Sequence, residues 1–354
     1  MVPVEKARSM KTSVVILNWN GRKLLERFLP VVLQHTLDHQ TEVVVADNGS
    51  SDDSVDFLNT RFPQVPLIVL DKNYGFAEGY NKALRQVDAE YVVLLNSDVE
   101  TTENWLSTMI SYLDEHPGVS ALQPKILAQR NKTGFEYAGA CGGFLDRFGY
   151  PFCRGRILDN VEQDRGQYDT VIPVFWATGA CLCIRRKDYF EAGGLDARFF
   201  AHMEEIDLCW RLNARGKRIE CLPQSVVYHV GAASLEKENP RKTYLNFRNN
   251  LLMLYKNARI RSLLVVFTVR LILDALAFLH LLSMGKFDNA KSVIEAHRDF
   301  FRMMPGFRHD RRENLKQRLV TDIPTKFKGS ILWNYYVKRK KTYSDLPLTP
   351  VTQN

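Results

Sequence analysis

Tyr91-Val92-Val93-Leu94-Leu95-Asn96-Ser97-Asp98 is a run of five apolar residues that ends abruptly on three polar ones, as a buried strand does where its tip meets solvent. The same grammar stands twice upstream. Residues 13–18 are apolar up to Asn18-Trp19-Asn20-Gly21, and residues 42–46 run into Asp47-Asn48-Gly49-Ser50-Ser51-Asp52. Residues 67–70 add another apolar strand, and between the strands the spacing turns helical. Leu24, Leu25, Phe28, Leu29, Val32 and Leu33 recur at threes and fours within residues 22–37, and residues 54–59 and 79–87 read as further helices. Strands alternating with helices predict βαβ units and a mainly parallel α/β sheet. Ligands bind such sheets beyond the carboxyl ends of the strands, so Asp47 and Asp98 are predicted to face one crevice.

Beyond it, residues 105–113 read as a helix, 121–127 as a strand, 134–156 as a glycine-rich aromatic loop region, 180–185 as a strand and 204–215 as an amphipathic helix. Apolar residues make up 45% and charged residues 25% of 354, values that exclude large-scale disorder and suit one large domain with an extension. The six cysteines form no C-x-x-C pair and read as small core residues rather than a zinc site. No cleavable leader is visible in the short, charged start of the chain.

The net charge of +8 is concentrated at the end: residues 286–354 hold 15 Lys and Arg against 7 Asp and Glu. An anionic partner such as a membrane surface is the expectation, with a merely solvated tail as the alternative. Nucleic acid is not expected, because these cations are scattered among apolar positions such as Leu315, Leu319 and Ile323 without a recognisable module. Residues 263–284 are apolar enough to cross a bilayer but contain Arg270, Asp274 and His280. Arg270 and Asp274, four apart, could pair, and two charges at the centre of a span cost about 2.5–3.5 kcal/mol each. An amphipathic or shallowly inserted helix is therefore favoured over a clean span, with a soluble helical hairpin as the other possibility.

A carboxylate at a central strand's tip suits a hard divalent ion that neutralises a departing diphosphate. Asp98 is the best candidate ligand, with Glu100 as a water-mediated helper if the strand continues through 96, 98 and 100. The bland reading is a capped turn. Asp47 could accept hydrogen bonds from a base or ribose, with Gly49 allowing close backbone approach, although Ser51 or Asp52 can also simply cap a helix. The loop from Asn73 through Gly75 to Asn81 feeds a helix whose N-terminus could face phosphate or ribose. Neither G-x-G-x-x-G nor a P-loop is present. His202-Met203-Glu204-Glu205-Ile206-Asp207 places carboxylates at a helix start, where one could act as a general base or merely complement the helix dipole.

Taken together these stretches, with Thr178-Gly179-Ala180 and Tyr228-His229, resemble the family 2 glycosyltransferases, including rhamnosyltransferase-like bacterial members. The matching pieces run in family order over residues 12 to about 250. The resemblance implies the GT-A fold and an inverting transfer from a nucleotide-sugar to a hydroxyl acceptor. It assigns donor binding to Asn18, Asn20, Asp47, Asn48, Ser50, Asp52, Asn73, Gly75, Asn81, Asn96 and Ser97, and the metal, Mn2+ or Mg2+, to Asp98 and His229. Glu205 would be the base, with Glu204 as its rival because the family's Glu-Asp is Glu-Glu here. Trp176, Thr178, Gly179, Ala180, Asp207 and Arg248 would form the acceptor side.

The expected organisation is a glycosyltransferase domain over 1–250, with a nucleotide-binding half 12–127 and an acceptor half 128–250. A helical, basic, membrane-associated extension over 251–354 follows. A glycan or lipid-linked acceptor, cell-surface polysaccharide assembly and a peripheral place on the cytoplasmic face of the membrane complete the reading. The competing readings are a sugar-phosphate nucleotidyltransferase, disfavoured by Asn18-Trp19-Asn20-Gly21 where a cationic glycine-rich loop is needed, and a non-catalytic nucleotide-sugar-binding protein.

Overall fold

The computed structural model describes residues 10–36, 38, 40–231 and 239–348, with Arg261 and Ser262 described by backbone alone. Leu37, the last residue of the first predicted helix, lies outside them, as does most of the N-terminal stretch read for a leader.

The first half follows the predicted alternation: β1 (Met10–Asn18), α1 (Arg22–Thr36), β2 (Thr41–Asp47), α2 (Ser54–Arg61), β3 (Leu67–Val69), α3 (Gly75–Leu84) and β4 (Ala89–Asn96). α3 starts four residues earlier than its apolar spacing suggests, because Gly75 adopts φ +76° and opens the helix directly from the loop. Next come β5 (Val99–Thr101), α4 (Trp105–Glu115), β6 (Val119–Ala128) and β7 (Asn131–Phe135). The glycine-rich region is a small separate sheet of β8 (Gly143–Leu145), β9 (Pro151–Cys153), β10 (Arg156–Ile157) and β11 (Asn160–Val161). The body closes with β12 (Ile172–Pro173), β13 (Cys181–Arg185), α5 (Arg186–Glu191), α6 (Glu204–Ala214) and β14 (Arg218–His229).

The main sheet runs β12-β14-β6-β13-β4-β1-β2-β3, with β5 paired to β14 and β7 to β6. β3, β2, β1 and β4 are parallel neighbours, as are β14 and β6, while β13 is antiparallel to both β4 and β6. It is thus a mixed, mostly parallel GT-A sheet. Both faces are covered. Val14 and Ile16 pack with Leu25, Leu29 and Trp105 on one side, and Val15 packs with Tyr80, Leu84 and Tyr189 on the other. That is why β1, β2 and β4 are continuously apolar rather than alternating. All six cysteines are free and buried, as their composition suggested.

The C-terminal helices are α7 (Pro240–Asn257), α8 (Ile260–Ser283), α9 (Phe287–Met303) and α10 (Arg308–Lys316). The boundary expected at residue 250 falls inside α7. After α10 the chain is largely irregular and returns along the body: Phe327 N donates to Leu145 O, Ile331 N to Asp146, and the Tyr343 ring packs on Phe144.

Candidate active site at the strand tips

β1 sits between β2 and β4 with Asn18 opposite Asp47 and Leu17 opposite Asn96, so the polar tips of the three strands form one row. Asp47 is buried, and its carboxylate accepts from Asn18 Nδ2 (2.9 Å), Ser50 Oγ (2.6 Å) and Ser50 N (2.9 Å). Asn18 Oδ1 is a buried acceptor without a partner among the described residues. Asn20, at φ +50°, turns its Oδ1 onto the backbone of Ser51 and Asp52 and so ties the first loop to the second. Asp52 accepts from Arg22 N and Ser54 N; burial opposes its charge, but these bonds win and hold its carboxyl below the ordinary value.

β4 ends at Asn96, Ser97-Asp98 is a turn, and β5 then pairs antiparallel with β14, placing Val99 opposite His229. The strand does not continue through residue 100, so Glu100 leaves the site and pairs with Lys132 and Gln129. The same turn brings Asp98 Oδ1 to 3.0 Å from His229 Nε2, both residues being buried. Glu136 Oε1 lies 3.5 Å from His229 Nδ1, and Asn96 Nδ2 lies 3.4 Å from His229 Nε2. Burial opposes a charged His229, yet the Asp98 and Glu136 carboxylates beside it dominate and push it up to about 10.

One carboxylate oxygen and one imidazole nitrogen 3.0 Å apart have the separation of two neighbouring ligands of a six-coordinate ion at about 2.1 Å. An oxygen and a nitrogen ligand suit Mn2+ better than Mg2+, with Glu136 behind the imidazole as its orienting partner. No group of three or more such side chains forms a closed metal cage among the described residues. The pair therefore fits an ion shared with a diphosphate and water.

α6 is launched from a strained loop. Phe200, His202 and Met203 have φ of +67°, +70° and +73°, a region that non-glycine residues occupy at about 1–3 kcal/mol each. α7 holds the loop there: Asn249 Nδ2 donates to the carbonyls of Phe199 (2.9 Å), Ala201 (2.9 Å) and His202 (2.8 Å). Glu204 and Glu205 follow at once. Each has one buried carboxylate oxygen with no partner among the described residues, and Glu205 is the more exposed of the two. Burial raises both carboxyls, Glu205 to about 7 and Glu204 further, with the neighbouring Glu205 charge adding to the latter. A carboxylate poised near neutral pH is matched to proton abstraction.

Residues 13–164 match the family model for glycosyl transferase family 2. The chain is 28% identical over 243 residues to the N-acetylglucosaminyl-diphospho-decaprenol L-rhamnosyltransferase of Mycobacterium tuberculosis, covering 64% of this chain and 78% of that one. Residues 13–164 thus form a glycosyl transferase family 2 domain. Its fold is shared by S. aureus TarS 1–349 in complex with UDP-GlcNAc (TM-score 0.54, 17% identity, 87% of this chain and 89% of that one). It is shared also by GalNAc-T7 with UDP, GalNAc and Mn2+ (TM-score 0.55, 14% identity, 70% and 48%).

Several residues expected to touch ligands also make hydrogen bonds within the protein. Asn81 is buried, with its amide engaged by Leu195, Tyr189 and Glu78, which ties α3 to the loop after α5. The α3 N-terminus does not point free N–H groups at a phosphate: Phe76 N and Ala77 N both donate to Phe200 O, and Gly75 N to Asn73. Asn48 clamps the same loop through Tyr74 N and Gly75 O. Asp207 is fully buried, receiving Lys256 (2.8 Å), Arg211 (3.0 Å) and Asn257 (2.6 Å), so both oxygens are engaged within the protein. The Arg248 guanidinium binds the carbonyls of Arg198 and Phe199. Trp176 is buried, its Nε1 bonded to Phe144 O, while Thr178, Gly179 and Ala180 form the floor between Gln123 and Phe76.

Two functional candidates were missed. Glu136 carries no sequence signal, because it reaches His229 only once β7 has folded back on β6. Trp19 had a signal that was overlooked: an aromatic between two asparagines at a strand tip, here 51% exposed.

Proposed function

We propose that this enzyme transfers a sugar, with inversion, from a nucleoside-diphosphate donor to a hydroxyl of a lipid-linked or glycan acceptor. It would serve cell-surface polysaccharide assembly at the cytoplasmic face of the membrane. The observation that carries the reading is the buried Asp98–His229 pair at the strand tips, in the same molecule as the uncompensated carboxylates that open α6.

In this reading the Asp47 carboxylate, fixed by Asn18 and Ser50, accepts from the base or ribose, and the Trp19 indole offers the base a stacking face. Asp98 and His229 hold a divalent ion, which when bound offsets the charge that builds on the departing diphosphate. Glu205 takes the acceptor's hydroxyl proton as that oxygen forms its bond to the anomeric carbon. The bond to the diphosphate oxygen breaks on the opposite side, which inverts the configuration.

Glu205 is preferred to Glu204 on position as well as exposure. It shares a face of α6 with Cys209 one turn on, and Cys209 Sγ accepts from Ala177 N (3.5 Å), which turns that face toward residues 176–178. The mycobacterial relative is an N-acetylglucosaminyl-diphospho-decaprenol L-rhamnosyltransferase, which supports a lipid diphosphate as the acceptor's anchor.

A thermal-shift screen of nucleoside diphosphates and their sugars, with and without Mn2+, tests the reading. The expected result is a rise in Tm for one base, larger when Mn2+ is present, since ligands of the native state raise its stability. No shift with any nucleotide would contradict it.

A further inference from the structure

α8 has the length and composition of a membrane span. Between Leu264 and Leu279 its only charges are Arg270 and Asp274, and both face inward and are buried. Arg270 reaches Asp274 (3.2 Å), Phe148 O (3.3 Å) and Asn250, and stacks its guanidinium 4.4 Å over the Tyr150 ring. Asp274 also receives Tyr150 OH (3.2 Å) and lies 3.0 Å from His297 on α9. These bonds fasten one side of the helix to α7, α9 and the small sheet. The opposite side carries Leu264, Leu271, Ile272, Leu276 and Leu279, each at least half exposed. At 100° per residue they share one arc that contains no charge between those ends.

α9 follows α8 after a short turn, packs against it and carries a different pattern. Phe287, Lys291, Ile294, Arg298 and Phe301 recur at intervals of four and three, and all five are exposed. Among the described residues the cations pair with near neighbours on the same helix, Lys291 with Glu295 (3.8 Å) and Arg298 with Asp299 (3.1 Å), and such surface pairs contribute little. Apolar side chains alternating with cations on one helical face are what an anionic lipid interface selects. A second copy of the chain fits less well, because two such stripes would oppose like charges.

We propose that α8 is an in-plane helix rather than a span. Its uncharged face and the Phe287–Phe301 stripe of α9 are buried together in the headgroup layer of an anionic bilayer. This deepens the membrane-side reading above and names its contact surface. It also has a consequence for the site: Asn250, which holds Arg270 of α8, adjoins Asn249, which holds the loop that launches α6. The bilayer-facing hairpin and the catalytic loop thus share one attachment.

The test uses the full chain and vesicles of phosphatidylglycerol with phosphatidylcholine, beside vesicles of phosphatidylcholine alone. The expected result is sedimentation with the anionic vesicles. It should weaken at least tenfold in Leu271→Glu/Leu276→Glu, while Lys291→Glu/Arg298→Glu should remove the preference for anionic lipid. Spin labels at positions 264, 271 and 279 of bound protein should report similar, shallow depths of about 5–10 Å. A maximum depth at position 271 would mean a span and overturn the proposal. So would wild-type protein that never sediments, or a lipid-free dimer that Leu271→Glu/Leu276→Glu dissociates. Nucleotide-sugar turnover on a soluble acceptor, measured on the same variants, is expected to be unchanged and reports on the catalytic reading separately.

Discussion

The Asn249 side-chain amide donates 2.8 Å to the carbonyl of His202, three residues before Glu205, and also grips the carbonyls of Phe199 and Ala201. This side chain on α7, beside Arg248 on the Phe199 carbonyl, helps hold the loop from which the acidic end of α6 emerges. Asn249→Ala leaves three carbonyls without this donor, and each buried loss costs about 1–3 kcal/mol at most. The expected outcome is a kcat at least tenfold lower with donor KM little changed, accompanied by a lower urea midpoint. A parallel loss of donor affinity would point to the donor crevice instead.

Glu205 gives the pH dependence its sign. Burial raises its carboxyl to about 7, so in the free enzyme the base is protonated and inactive below that pH and ionised above it. In the proposed mechanism kcat/KM therefore falls tenfold per unit as pH drops below about 7. Glu205→Gln should lose most of the rate and the acid limb with it. An acid limb that persists in Glu205→Gln and vanishes in Glu204→Gln would transfer the role to Glu204.

Asp207 separates an acceptor role from a structural one. Its carboxylate is enclosed by Lys256, Arg211 and Asn257, and Lys256 also binds Asp196 (2.8 Å). Removing one member of a buried ion cluster costs about 3–5 kcal/mol. Asp207→Ala should thus lower the Tm sharply by calorimetry, whereas an acceptor-contacting residue would alter acceptor KM and leave the Tm nearly unchanged.

Gly143 is predicted to tolerate no side chain. A Cβ there would lie 2.1 Å from the buried Trp176 ring, whose Nε1 is already fixed on Phe144 O. Gly143→Ala should destabilise by at least the roughly 1–3 kcal/mol of ordinary overpacking, measured by denaturant unfolding. A neutral result would mean that the floor beside Trp176 is loose.

Much of the architecture was legible in sequence because a parallel sheet covered on both faces leaves an unmistakable trace. Val14–Ile16 and Val92–Leu95 are apolar at every position, and their polar tips mark the crevice. What the sequence could not show is which polar groups are left open once the loops close on one another. Asn81, Asp207 and Arg248 look like ligand-binding residues in one dimension, yet each also has partners 49 or more residues away. Glu136 meets His229 across 93 positions and had no local pattern to betray it. The inward turn of Arg270 and Asp274 is likewise visible only in three dimensions, since periodicity alone gives a span and an in-plane helix the same appearance.

In the proposed mechanism Asp98, 3.0 Å from His229, holds the ion on which sugar transfer depends. Its most direct test is release of nucleoside diphosphate from the donor picked out by the thermal-shift screen, followed against Mn2+ concentration for wild type and Asp98→Ala. The predicted result is saturable Mn2+-dependent release in wild type and at least a hundredfold loss in Asp98→Ala at every Mn2+ concentration. Equal release by the two proteins, or wild-type release indifferent to Mn2+ and Mg2+ after chelation, would contradict it.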